Sequence, residues 1–86
     1  MAFSDIVKTL SILGEVRVRY NEHLGYFQAD IQEVETKPHK DSGILVSEWG
    51  EGNTAETAVD DYYNKLKGKI VVVNAMSDNR KECIII

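Results

Sequence analysis

The chain has 86 residues, 43% of them hydrophobic, with a single proline, which sets one domain with a small core and excludes a disordered chain. Its net charge of −4 at pH 7 excludes a general nucleic-acid binder, which needs a basic face to neutralise phosphates. The lone cysteine, Cys83, excludes an internal disulfide and fits a reducing, cytoplasmic setting; no apolar run is long enough to span a bilayer.

The N-terminal stretch has no basic leader, and acid and lysine interrupt its apolar residues, so a signal peptide is not expected. Ser4 is placed to cap a first helix running to about Leu13, ended by Gly14. Phe3, Ile6, Val7, Leu10 and Leu13 fall on one side of it, the pattern of a core-facing stripe.

Val16, Val18 and Tyr20 alternate with Arg17 and Arg19, which predicts a half-buried strand with both arginines on the open face. Asn21 to Gly25 supplies a turn. A second strand is expected from Tyr26 to Glu35, with Phe27, Ala29 and Ile31 inward. Thr36 to Ser42 reads as a loop around the only proline, and Ile44 to Trp49 as a third strand.

Trp49 to Gly68 gives the strongest local signal. Ala55, Ala58, Val59, Tyr62, Tyr63 and Leu66 have the spacing of one helical face. Thr54 is a natural N-cap; with Asn53 as cap instead, Glu56 closes a capping box. Gly68 ends the helix, and Asp61 and Lys65 form an i,i+4 pair. Ile70 to Ala75 is β-branched and apolar on both faces, which predicts a central strand. Glu82 to Ile86 completes a hairpin as the edge or last strand.

The predicted order is α-β-β-β-α-β-β: a two-layer α+β domain with a mostly antiparallel sheet and both helices on one face. The whole chain, 1–86, is one domain.

No catalytic constellation emerges. His23 and His39 lie in different turns, and no pair has a zinc spacing. No serine sits in a nucleophile elbow, and Asp60 and Asp61 diverge around their helix. Gly50-Glu51-Gly52 opens a helix as phosphate loops do, but it lacks the lysine and carries acid. Cys83 to Ile86 formally matches a prenylation motif, although the isoleucines serve equally as strand residues. A non-enzyme without cofactor or metal is expected.

Between Asp41 and Asn64 there is no lysine or arginine, while acids recur. Glu48, Trp49, Glu51, Glu56, Asp60 and Asp61 form the expected partner-binding surface, with Trp49, Tyr63 or Tyr26 as its aromatic hot spot where exposed. The partner expected is a larger protein, basic or itself nucleic-acid-binding, that the domain inhibits or neutralises. The alternative is a small anionic ligand or nucleotide held by Arg17 and Arg19. Direct nucleic-acid and membrane contact are not expected. Monomer and homodimer both stay open, with Val16–Tyr20 and Glu82–Ile86 as edges able to pair across a dimer.

The order α-β-β-β-α resembles that of double-stranded RNA-binding domains. Those place lysines at the start of the second helix; here that place holds Glu51, Glu56 and Asp60, so the resemblance implies topology and not RNA binding. Gly25-Tyr26-Phe27-Gln28-Ala29-Asp30, followed by Gly52-Asn53-Thr54-Ala55-Glu56-Thr57-Ala58, is similar to the HicB-type antitoxin pattern of a Gly-Tyr strand and a Gly-x-Thr-x-Glu-x-Ala helix start. This chain departs from it by an N-terminal helix, no Pro-Gly-Cys segment and no C-terminal DNA-binding part. The resemblance implies a strand and then a capped helix. In size and acidity the chain also resembles small proteins of bacterial viruses, which implies a host or defence protein as target.

Overall fold

The computed structural model describes residues 2–85. Helix α1 spans Phe3–Leu13 and buries Ile6, Leu10 and Leu13. Its cap is Ala2 and not Ser4: no side chain caps it, and the Ala2 carbonyl accepts from the amides of Asp5 and Ile6. Starting the helix at Phe3 lets that ring pack against the core. Gly14 ends the helix where a Cβ would lie 2.8 Å from Ile31 Cγ2, so the chain turns through a gap only glycine leaves.

Strands β1 (Val16–Asn21) and β2 (Tyr26–Ile31) pair antiparallel around the expected turn. Asn21 Oδ1 accepts from the amides of His23 and Leu24, and Gly25 takes φ 75°. The expected second strand does not run unbroken to Glu35. It breaks at Gln32–Glu33, where Glu33 takes φ 61°, and resumes as β3 (Glu35–Lys37). The third strand breaks likewise. Only Val46–Ser47 forms β4, and the chain re-enters as β5 at Gly50–Gly52, a stretch the sequence suggested was loop.

Both breaks serve one bend. β2 pairs with β5, and β3 pairs with β4, so two long bent strands contribute to two sheets. The first sheet has the order β1-β2-β5; the second has β4-β3-β6-β7, with β6 at Ile70–Val73 and β7 at Lys81–Ile84. All pairings are antiparallel. The expected order survives, with each of two strands divided.

β6 is central, as its unbroken apolar run predicts: Val71 and Val72, on opposite faces, are both fully buried. β7 is an edge, and Ile86 lies outside the described residues.

Helix α2 spans Ala55–Leu66 and lies across the first sheet. Thr54 caps it, and the box is closed by Thr57 instead of Glu56: each backbone amide meets the other's hydroxyl. Gly68 follows with φ 78° and donates its amide to the Ile85 carbonyl. Ala58, Val59, Tyr62, Tyr63 and Leu66 are buried, and they share one core with α1, β2 and Val71.

α2 approaches β5 so closely that a Cβ on Gly50 would lie 2.0 Å from the Ala58 carbonyl oxygen. The glycines of Gly50-Glu51-Gly52 are therefore a seat for the helix.

Candidate functional site

The face of the first sheet turned away from α2 carries the polar residues of the alternation. Register sets Arg17 opposite Asp30, Arg19 opposite Gln28, and Gln28 opposite Glu51. Tyr26 and Trp49 complete this face beside Glu51.

The two arginines have different surroundings. Arg17 makes a two-pronged contact with Asp30, Nε to Oδ1 at 3.1 Å and Nη2 to Oδ2 at 3.0 Å. Arg19 reaches only 4.0 Å from the same carboxylate and is 70% exposed along its side chain. Arg17 is thus a structural ion pair, and Arg19 keeps donors for a ligand. The equal roles expected of Arg17 and Arg19 as anion contacts do not fit this geometry.

Glu51 organises the aromatic part. Its Oε1 accepts from Trp49 Nε1 at 2.8 Å and from the Tyr26 hydroxyl at 3.2 Å. Desolvation, and after it the Glu51 carboxylate, pushes the Tyr26 phenol pKa up. Trp49 is 45% exposed with its indole fixed by this bond. It walls a shallow cavity of about 270 Å³ lined with Arg19, Gln28, Asp30, Ser47 and Glu48.

Two carboxylates of the acidic span are paired with lysines that lie outside it. Lys69 Nζ lies 2.7 Å from Glu48 Oε2. Lys65 lies 3.1 Å from Asp61 Oδ2, as the i,i+4 spacing predicts. Asp61 also accepts the Glu51 amide, and Lys65 donates to the Trp49 carbonyl. The six expected partner-binding residues therefore separate into three roles. Glu48 and Asp61 are committed to internal pairs, Glu51 holds Trp49, and Glu56 and Asp60 stand exposed on α2. Among the described residues no cation lies within ion-pair distance of those last two.

Sequence reasoning did not give Ser47 or Gln28 a role at this site. Their signal was positional: each lies on the polar parity of its strand. No helix of the described residues is long and apolar enough to cross a membrane. No family model, no curated protein and no solved structure matches the chain.

Proposed function

We propose that this is a protein-binding domain that docks through the open face of its first sheet, with Trp49 as the anchor. The observation that carries this reading is the Trp49–Glu51 bond. It holds a half-exposed indole in one orientation before any partner arrives. A preorganised aromatic loses little rotamer freedom on binding, and tryptophan is the residue type most often found at the energetic centre of interfaces.

Around Trp49 the charges are mixed: Arg19 and Asp30 on one side, Glu48 and Glu51 on the other. Such a rim suits a folded protein surface with its own paired charges better than a phosphate ligand. Glu56 and Asp60 add unpaired negative charge on the neighbouring helix, which favours encounter with a basic partner. The domain then acts by occupying its partner's surface, with no chemistry of its own. Inhibition of a host or defence protein is the form of this function that the resemblance to small viral proteins suggests.

The test is differential capture. The immobilised wild-type chain and its Trp49→Ala variant are exposed to lysate of the source organism, and retained proteins are compared by mass spectrometry. The reading expects one protein in near-stoichiometric amount on the wild type and absent from the variant. A retained set that does not change with Trp49→Ala, or none at all, removes the support for it.

A further inference from the structure

The open face of the first sheet carries a second hollow beside the one at Trp49. It measures about 450 Å³ and is lined by Arg19, Tyr20, Asn21, Glu22, His23 and Gln28. Arg19 and Gln28 line both hollows, and they are direct cross-strand partners, so they stand together where the two meet.

Both side chains carry hydrogen-bond donors that the fold leaves unused. Asn21 orients Gln28. Its Oδ1 accepts the His23 and Leu24 amides, so its Nδ2 is the group that faces Gln28, and it donates to Oε1 at 3.3 Å. That contact takes the oxygen of Gln28 and leaves its Nε2 amino group without an acceptor among the described residues. Arg19 approaches one acid, Asp30, and at 4.0 Å that contact is too long for a hydrogen bond. Both oxygens of Asp30 already accept from Arg17. Glu48, the other acid of the hollow at Trp49, is held by Lys69.

The carboxylates of this hollow are therefore engaged, while a guanidinium and an amide amino group are not. Three cations, Arg17, Arg19 and Lys69, stand against two carboxylates, Asp30 and Glu48, which leaves one positive charge in excess. Glu51 lies two strands from Arg19, with Oε1 occupied by Tyr26 and Trp49. Two strand spacings are roughly 10 Å, a full screening length at physiological salt.

Such a set suits an anion of one charge. A guanidinium offers parallel N–H groups that match the two oxygens of a carboxylate. A dianionic phosphate would meet Asp30 and Glu48 with only Arg19 to face it, and the second hollow carries Glu22, which no cation pairs among the described residues. One exposed arginine does not hold a free carboxylate in water, because such pairs are worth about 1 kcal/mol or less. The anion must belong to a segment that gains its affinity elsewhere, and Trp49 walls the same hollow.

We propose, resting on the reading of Trp49 as the anchor, that the partner protein places an aspartate or glutamate side chain in the hollow beside Trp49. Arg19 and Gln28 take its carboxylate, and an adjoining apolar side chain of the partner covers the indole. Arg19 then sets specificity, and Trp49 supplies affinity. Glu56 and Asp60 lie on α2, on the other side of the sheet, and act only at long range on the partner's overall charge.

The test is a displayed library of random linear peptides, selected on the immobilised full chain and on its Arg19→Met and Trp49→Ala variants. The wild type is expected to enrich sequences with an acid at a fixed spacing from an apolar residue, and Arg19→Met to lose that acid from its selection. In the strongest sequence the acid is then changed to its amide, and both peptides are titrated against both chains by calorimetry. The change is expected to weaken binding about tenfold on the wild type and less than about twofold on Arg19→Met. Arg19→Lys keeps the charge without the fork and is expected to recover part of the difference. Arg19 is 70% exposed along its side chain, so the melting temperature is expected to stay unchanged in both variants. A wild-type chain that enriches no acidic sequence overturns the proposal, and so does an amide effect of equal size on Arg19→Met. Acidic sequences that need Arg19 and bind Trp49→Ala undiminished keep the carboxylate site and remove the anchor. Sequences that need Trp49 and contain no acid do the reverse.

Discussion

Asp61 and Lys65, one helical turn apart on α2, bind two backbone groups on the outer edge of the β5 segment. Asp61 Oδ2 accepts the Glu51 amide at 2.9 Å, and Lys65 Nζ donates to the Trp49 carbonyl at 2.9 Å. Residues i and i+2 of a strand present their N–H and C=O to the same side, so the ion pair stands where a further strand would add. An open edge invites pairing with other chains, and this helix closes it. The same contact holds the backbone on either side of Gly50, directly after Trp49, so edge protection and site geometry depend on the same pair.

From this follows the first prediction. Asp61→Ala frees the Glu51 amide, and its hydrogen exchange, slow in the wild type, becomes fast. Each single change, Asp61→Ala or Lys65→Ala, is expected to cost about 1 kcal/mol. The double-mutant cycle gives a coupling of about 0.2–1 kcal/mol, the range of exposed ion pairs.

Tyr62 is fully buried, and its hydroxyl accepts the Ile31 amide at 3.2 Å. That amide belongs to the last residue of β2, where the strand breaks. Tyr62→Phe leaves it unsatisfied, at a cost of about 1–3 kcal/mol by urea unfolding.

The same phenol carries a pH dependence. Burial pushes its pKa up to about 12, against 10.0 for a free tyrosine. Between these values the unfolded chain has lost the proton and the folded chain has kept it. Stability from this group is complete below pH 10 and falls as pH rises toward about 12. Tyr62→Phe is expected to flatten that part of the stability profile.

Gly50→Ala drives a methyl into the Ala58 carbonyl, 2.0 Å away, with the Tyr62 amide 2.4 Å away. Both obstacles are backbone and cannot turn aside, so α2 must lift from β5. A loss of about 4 kcal/mol or more is expected. Gly25→Ala finds open space and pays only for its positive φ, so it is expected to cost much less by thermal melting.

These glycines mark where reading the sequence reaches its limit. The α2 face, Thr54 as its cap, Gly68 as its stop and the central place of β6 rest on local pattern, and local pattern contains them. The divided strands do not. Glu33 is an ordinary residue at φ 61°, and nothing near it in sequence announces a bend. The bend comes from closing two sheets around one core, a tertiary demand. The acidic span misled in a related way. Counting charges between Asp41 and Asn64 hid Lys69, which lies beyond it and folds back onto Glu48, whereas the Asp61–Lys65 pair was legible from its i,i+4 spacing. Of the three aromatics named as candidate hot spots, Trp49 is half-exposed and Tyr63 is buried in the core, a difference that burial and not local pattern decides. The fixation of Trp49 by Glu51 needed coordinates.

Glu56 and Asp60 give a kinetic prediction. Both are exposed and outside the internal pairs, so Glu56→Gln with Asp60→Asn is expected to leave melting unchanged. It slows association with a basic partner, by several-fold at low salt and less at high salt. Stopped-flow association at two ionic strengths reads the difference.

The central claim is that Trp49 anchors a protein interface, and it is the only tryptophan in the chain. The most direct measurement is the affinity of the captured partner for wild type and for Trp49→Ala, alongside acrylamide quenching of the indole in the free and bound states. The account predicts a loss of about 2 kcal/mol or more, roughly thirty-fold in Kd, with melting little changed and the indole shielded on binding. Affinities within threefold of each other, with an indole as accessible bound as free, would contradict it.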